Sequence, residues 1–190
     1  MKTTFKISAL ALAFAAFSFG ANAQSKTSTT TDSGIKLSIG VDAGVPVGNY
    51  NDFYNWNLGG SVQADIPVAK QVFVTVNAGY NNIFGKDIAN TSAHYTNIQL
   101  IPVKAGLKYF PIENFYVQGE AGAAFVANKS DLGVSKTALF AYAPQVGVQF
   151  PVSGKSFIDA GVRFEGNSPL VTNGKNLNFI GLRLAYGFGL

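Results

Sequence analysis

The chain has 190 residues, with 14 Lys and Arg against 10 Asp and Glu, one His and no Cys. That length fits one domain, the near-balanced charge argues against a nucleic-acid partner, and the lack of cysteine excludes a disulfide framework or a thiolate metal site. Phosphate-cradling loops of the GxGxxG and Walker types are absent as well.

The chain opens Met1-Lys2-Thr3-Thr4-Phe5-Lys6, followed by an apolar run from Ile7 to Phe19 and then Ala21-Asn22-Ala23. A basic start, a short apolar stretch and a small-x-small ending are the layout of a secretory signal peptide, here residues 1–23, cut between Ala23 and Gln24. The apolar run is too short for a spanning helix. Removing Lys2 and Lys6 from 14 basic residues against 10 acidic ones leaves a net charge of +2. Residues 24–34 (QSKTSTTTDSG) have no apolar period and read as a disordered polar tether. Residues 35–190 are the folded domain.

From Ile35 onward, apolar and polar residues alternate with period 2, which is the mark of strands whose two faces meet different surroundings. The first strand is expected over Ile35–Val45, with Ile35, Leu37, Ile39 and Val41 on one face and Lys36, Ser38, Gly40 and Asp42 on the other. Residues 46–55 form a loop, and Trp56–Ile66 the second strand. A short turn at 67–71 leads into the third, Val72–Tyr80. The longest loop, 81–95, follows. The fourth strand centres on Ile101–Tyr109. Ile98 and Leu100 are apolar but out of phase with Ile101 and Val103, so a bulge is expected beside Pro102. After the turn 111–114 come a fifth strand, Phe115–Phe125, and a polar loop, 127–137. Ala138–Phe150 is the sixth strand, with local irregularity expected at Pro144, which lacks a ladder donor. The turn 151–155, the strand Ser156–Glu165, the loop 166–176 and the strand Leu177–Leu190 complete the chain.

The count is eight, and the connections alternate long and short, with Pro67, Pro111 and Pro151 opening the short ones. Transmembrane barrels sort their connections this way, with short periplasmic turns and long external loops, and only a closed barrel can take strands across a bilayer. The expected fold is therefore all-β, an eight-stranded antiparallel up-and-down transmembrane β-barrel.

The polar face carries Lys36, Lys104, Lys108, Arg163 and Arg183 together with Asp42, Asp65, Glu120, Asp159 and Glu165, five charges of each sign. Charges enclosed in a narrow barrel must pair, and these balance, so a lumen charge network is expected. The opposite face is uncharged, as lipid contact requires. Two aromatic girdles are read at the strand ends: Tyr50, Phe53, Tyr54, Trp56 and Tyr80 at one end, and Tyr109, Phe115, Phe150, Phe157, Tyr186 and Phe188 at the other. The competing reading is a soluble lipocalin-like exported barrel, with the same alternation inverted so that aliphatic residues hold a lipophilic ligand and the charges face water.

The signal peptide, the eight alternating segments, the sorted loops and the final run LRLAYGFGL (Leu182–Leu190) resemble the small outer-membrane β-barrel domain family, akin to OmpX and to the barrel domain of OmpA. The resemblance covers Ile35 to Leu190. It implies residence in the outer membrane of a Gram-negative bacterium, contact with outer-membrane lipid, and recognition of the C-terminal strand by the barrel-assembly machinery. Tyr186 and Phe188 match the family's alternating aromatic ending, while the last residue is Leu190. No peptidoglycan-binding domain follows, so cell-wall tethering is not implied.

Little in the chain carries chemistry. His94, with Asp87 and Ser92 nearby in the longest loop, is the one candidate for an enzyme reading, and its spacing is not diagnostic. A solitary His without Cys argues against a dedicated zinc site, and no cofactor is expected. An eight-stranded barrel is only wide enough for its own side chains, so a general diffusion pore is not expected either. The leading reading is a non-enzymatic integral barrel that supports the envelope or meets an extracellular protein or surface partner through its loops. Tyr50, Phe53, Tyr54, Phe84 and Tyr95 are the candidate loop contacts.

Overall fold

The computed structural model describes residues 34–88 and 93–190. The expected signal segment with its Ala23/Gln24 cut, all of the tether but Gly34, and Ser92 lie outside the described residues.

Eight strands follow one another: β1 (Lys36–Val47), β2 (Tyr54–Ala69), β3 (Val72–Gly85), β4 (Ile98–Tyr109), β5 (Phe115–Val126), β6 (Ala138–Ser153), β7 (Ser156–Asn167) and β8 (Leu177–Gly189). Each pairs antiparallel with its neighbours in sequence, and β8 returns to β1, from Lys36 opposite Gly189 to Val47 opposite Asn178, so the sheet closes on itself. The result is an eight-stranded up-and-down barrel with no free edge. Two of the long loops contain a turn of helix: a 3-10 turn at Gly48–Asp52, and α1 (Lys129–Leu132) between β5 and β6.

Several local expectations need correction. No bulge sits beside Pro102. From Leu100 opposite Val126 to Tyr109 opposite Val117 the β4–β5 register is unbroken, and the β3–β4 register is the same on either side of Pro102. The ladder to β3 lapses over Ile101 and Pro102, where proline has no N–H to donate, and resumes in the same register at Leu100. Ile98 and Leu100 therefore share the inward phase of Lys104 and Lys108, and both are fully buried. At Pro144 the ladder is locally irregular as expected: pairing toward β7 lapses at Ala143 and Pro144, while the register with β5 and β7 is kept. Pro67 and Pro151 do not open turns. The strands continue past them to Ala69 and Ser153, and the real irregularities are register shifts immediately after each proline. The short connections are Lys70–Gln71, residues 110–114, and Gly154–Lys155. They reverse through left-handed backbone at Gln71 (φ 65), Asn114 (φ 67) and Gly154 (φ 53). β3 also reaches beyond Tyr80 to Gly85, which shortens the longest loop.

The faces decide between the two barrel readings. Outward positions are apolar and open, such as Ile39 at 62% and Leu182 at 66% exposure, while Lys104 and Lys108 inside are 2% and 1% exposed. Among the described residues, no outward strand position bears a charge. A water-soluble lipocalin-like barrel requires the reverse distribution, so that reading is overturned. Two members of the expected girdles also face inward: Tyr54 and Phe157 are 8% and 6% exposed.

Candidate functional site

Among the described residues polar chemistry is concentrated in the lumen, which is layered from one end to the other. At the short-turn end lies an aromatic floor. Phe73 and Phe157 are buried, Phe110 packs edge-on to Phe73 with centroids 5.6 Å apart, and Phe110 meets Tyr116 at 5.7 Å. The Lys36 ammonium lies 5.3 Å from the Phe73 ring centre and 5.7 Å from that of Phe157, a cation–π arrangement. The wall yields where these rings need space. A Cβ at Gly187 would sit 2.2 Å from Phe157, and one at Gly147 would sit 2.5 Å from the Tyr116 hydroxyl. Glycine at these inward positions is thus a steric requirement of the filling.

Above the floor, Lys108 bonds Asp65 at 2.6 Å and lies 3.6 Å from Asp159. Tyr116 donates to Asp159 at 2.7 Å and accepts from Gln145, and Gln149 donates to the other Asp159 oxygen at 2.8 Å. Gln63 donates to Asp65 at 2.7 Å. One level higher, Arg163 donates to Gln145 at 2.7 Å and faces Asp42 at 3.5 Å and Glu120 at 3.7 Å. Glu120 accepts from Thr75 at 3.1 Å, Asp42 accepts from Ser61 at 2.6 Å, and Arg183 lies 3.9 Å from Asp42. Near the loop end, Lys104 pairs with Glu165. The ten charges named from sequence thus line one lumen, where Lys104, Lys108, Arg163 and Arg183 meet carboxylates in ion pairs and the Lys36 ammonium lies over the rings of the floor. A small cavity of about 40 Å³ remains beside Asp42, Asn57, Asn77, Arg163 and Glu165, and oxygens of Asn57, Asn77 and Glu165 there have no protein hydrogen-bond partner.

The loop end is closed by a layer that the alternation rule did not anticipate. Tyr54, Ile83, Ile98, Leu100, Val126, Leu139, Leu177 and Phe179 form one buried apolar cluster with Leu170 from the last loop. Tyr50, Leu132 and Val134 of the other loops pack against it. The signal was present in the sequence: apolar residues in the polar phase, all within a few positions of a long loop. Partial burial raises the Tyr50 hydroxyl pKa above its usual value.

The candidate loop contacts are therefore distributed rather than gathered. Tyr54 lies in the plug and Tyr50 leans on it. Phe84 stacks on Trp56 on the outer wall, with centroids 4.4 Å apart. Phe53 and Tyr95 form an edge-to-face pair at 5.2 Å. His94 pairs across a short ribbon with Asp87, both exposed. Among the described residues, no group of three or more His, Cys, Asp or Glu side chains is placed to hold a metal ion.

No family profile and no curated protein sequence matches the chain. Solved structures do match. Neisserial surface protein A (NspA) superposes with a TM-score of 0.58 at 16% identity, over 83% of this chain and 98% of that one. The outer membrane protein AlkL gives 0.53 at 14% identity, over 89% and 95%. Ail, the attachment invasion locus protein of Yersinia pestis, gives 0.50 at 17% identity, over 82% and 99%. The chain shares the fold of small outer-membrane β-barrels. At these identities the likeness speaks for the fold alone.

Proposed function

We propose that this protein is an integral outer-membrane barrel of a Gram-negative bacterium that works without catalysis, as a sealed wall element whose loops face the exterior. The observation that carries this reading is the inversion of polarity: an uncharged apolar exterior around a lumen filled by paired charges. A bilayer rewards that distribution and water penalises it. The buried apolar cluster at one end and the buried aromatic rings at the other narrow the lumen, which favours a structural or surface role over transport. On this reading residues 1–23 direct export and are removed before Gln24, residues 24–34 are a polar tether, and Leu182–Leu190 is the strand that the assembly machinery reads. Extracellular contacts fall to the exposed parts of the loops, where Phe53, Ile88 and Val171 are open apolar side chains among the described residues.

Fractionation of cells expressing the full chain tests this directly. The protein is expected in the detergent-extracted envelope fraction, with faster gel migration unheated than boiled. Recovery in a soluble fraction without detergent overturns the proposal.

A further inference from the structure

The ion pairs of the lumen are of two kinds. Lys104 with Glu165 and Lys108 with Asp65 meet directly. Around Asp42 the charges stand apart. Arg163 lies 3.5 Å from Asp42 and 3.7 Å from Glu120, and Arg183 lies 3.9 Å from Asp42. A direct bond between such groups closes to about 2.7–2.9 Å. The atoms at these gaps, Asp42 Oδ1, Glu120 Oε2, Arg163 Nη2 and Arg183 Nε, are buried and have no hydrogen-bond partner in the protein. The cavity of about 40 Å³ opens at the same level. Gly79 and Gly181, in the inward phase of β3 and β8, form part of its wall and contribute no side chain to fill it. Asn57, Asn77 and Glu165 are 5%, 1% and 7% exposed, and each lines the cavity while carrying an unpartnered oxygen.

We propose that this cavity is a water-binding site, whose waters donate to the Asn57, Asn77 and Glu165 oxygens and bridge Asp42 to Arg163 as fixed members of the charge network. The volume holds about three water molecules, and each finds the two to four polar partners that a buried water needs. Polar groups about 3.5 Å apart or more are the usual setting for such a bridge. A metal ion fits worse, for two reasons. Lys104, Arg163 and Arg183 already balance Asp42, Glu120 and Glu165 at this level, so a further cation would bring uncompensated charge into an enclosed lumen. The cavity wall also contains a donor, since Arg163 Nη2 is unpartnered. Water both donates and accepts, whereas a metal ion meets oxygens only. The lower ions of the lumen are thus joined by contact and the ions around Asp42 through solvent. The site depends on the closed barrel and on no role assigned to it.

The test uses the full mature chain in detergent, taken forward only where a heat-modifiable gel shift shows that the barrel is folded. A crystal structure at a resolution that shows ordered solvent is expected to place about three density peaks in the cavity, each within about 3.2 Å of at least two polar atoms of its wall. Asn77→Leu sets a methyl group where the Asn77 oxygen stands, and is expected to remove at least one peak. Asn77→Ala deletes the same oxygen but leaves the space, and is expected to keep the peaks beside Asn57 and Glu165. The measurement on the unsubstituted protein decides by itself if a variant does not fold. No peak in the cavity of the unsubstituted protein overturns the proposal, as does direct closure of Arg163 onto Asp42 and Glu120. So does a peak ringed by six or more oxygens at about 2.3–2.6 Å, which is a bound calcium ion. Peaks unchanged in a folded Asn77→Leu variant also overturn it.

Discussion

At the scale of single residues, the lumen holds its charges by mutual neutralisation, and this makes each one costly to remove. The Lys104 side chain has no exposure and Glu165 is its ion partner. Removing one member of a buried pair leaves the other charge desolvated and alone, a loss of about 3–5 kcal/mol. Glu165→Ala is accordingly expected to lower stability by about that amount in urea titrations of the barrel in lipid vesicles. The double substitution Lys104→Met, Glu165→Leu is expected to recover most of it, because no lone charge remains. Equal stability of Glu165→Ala and the unsubstituted protein would show that the pair is not desolvated. The composition of this network was legible in the sequence, since five charges of each sign fall on one phase of the strands. Its pairing was not. Lys108 with Asp65 joins β4 to β2, and Arg163 with Asp42 joins β7 to β1, partners set by curvature across the lumen. A linear pattern does not encode which side chains meet over an intervening strand.

At the scale of elements, alternation located all eight strands, because a wall between lipid and a polar interior writes period 2 into every segment. It misjudged their ends. Pro102 drew attention as the site of a bulge because Ile98 and Leu100 broke phase, yet the strand runs straight through and those residues point inward. The assumption that failed was that the interior is polar along its whole length. Near the loops it becomes apolar, and Leu100, Ile98 and Leu177 belong to a plug. Leu100→Ala is expected to cost about 2–5 kcal/mol, the usual range for emptying a buried leucine site, as a lowered urea midpoint in vesicles. An effect below about 0.5 kcal/mol, the level of an exposed position, would mean that the mouth of the barrel is open.

At the scale of the whole molecule, the three layers of the lumen act in series. The aromatic floor, the charge network and the apolar plug each place buried side chains in the lumen in turn. An eight-stranded barrel has room only for its own side chains, so no hydrated passage of pore dimensions is left. Reconstituted into planar bilayers, the protein is expected to produce no stepwise conductance of the kind general diffusion pores give. Regular steps that scale with salt concentration would show that one of the layers gives way. The loop residue Leu170 shares the plug with strand residues, so the external loops are part of the closure as well as its outer surface.

The ring closure of β8 on β1 has a kinetic corollary. Arg183 stands opposite Asp42 across that last seam, and Arg163 of β7 reaches the same Asp42 over β8. Asp42 of β1 meets Arg163 and Arg183 only when the ring closes, so an unfinished barrel would carry that carboxylate without its cations into hydrocarbon. Assembly is therefore expected to be nearly all-or-none and slow, dominated by contacts between distant parts of the chain. A chain stopped before β8 should remain outside the bilayer, available to proteases, instead of lodging there half-built.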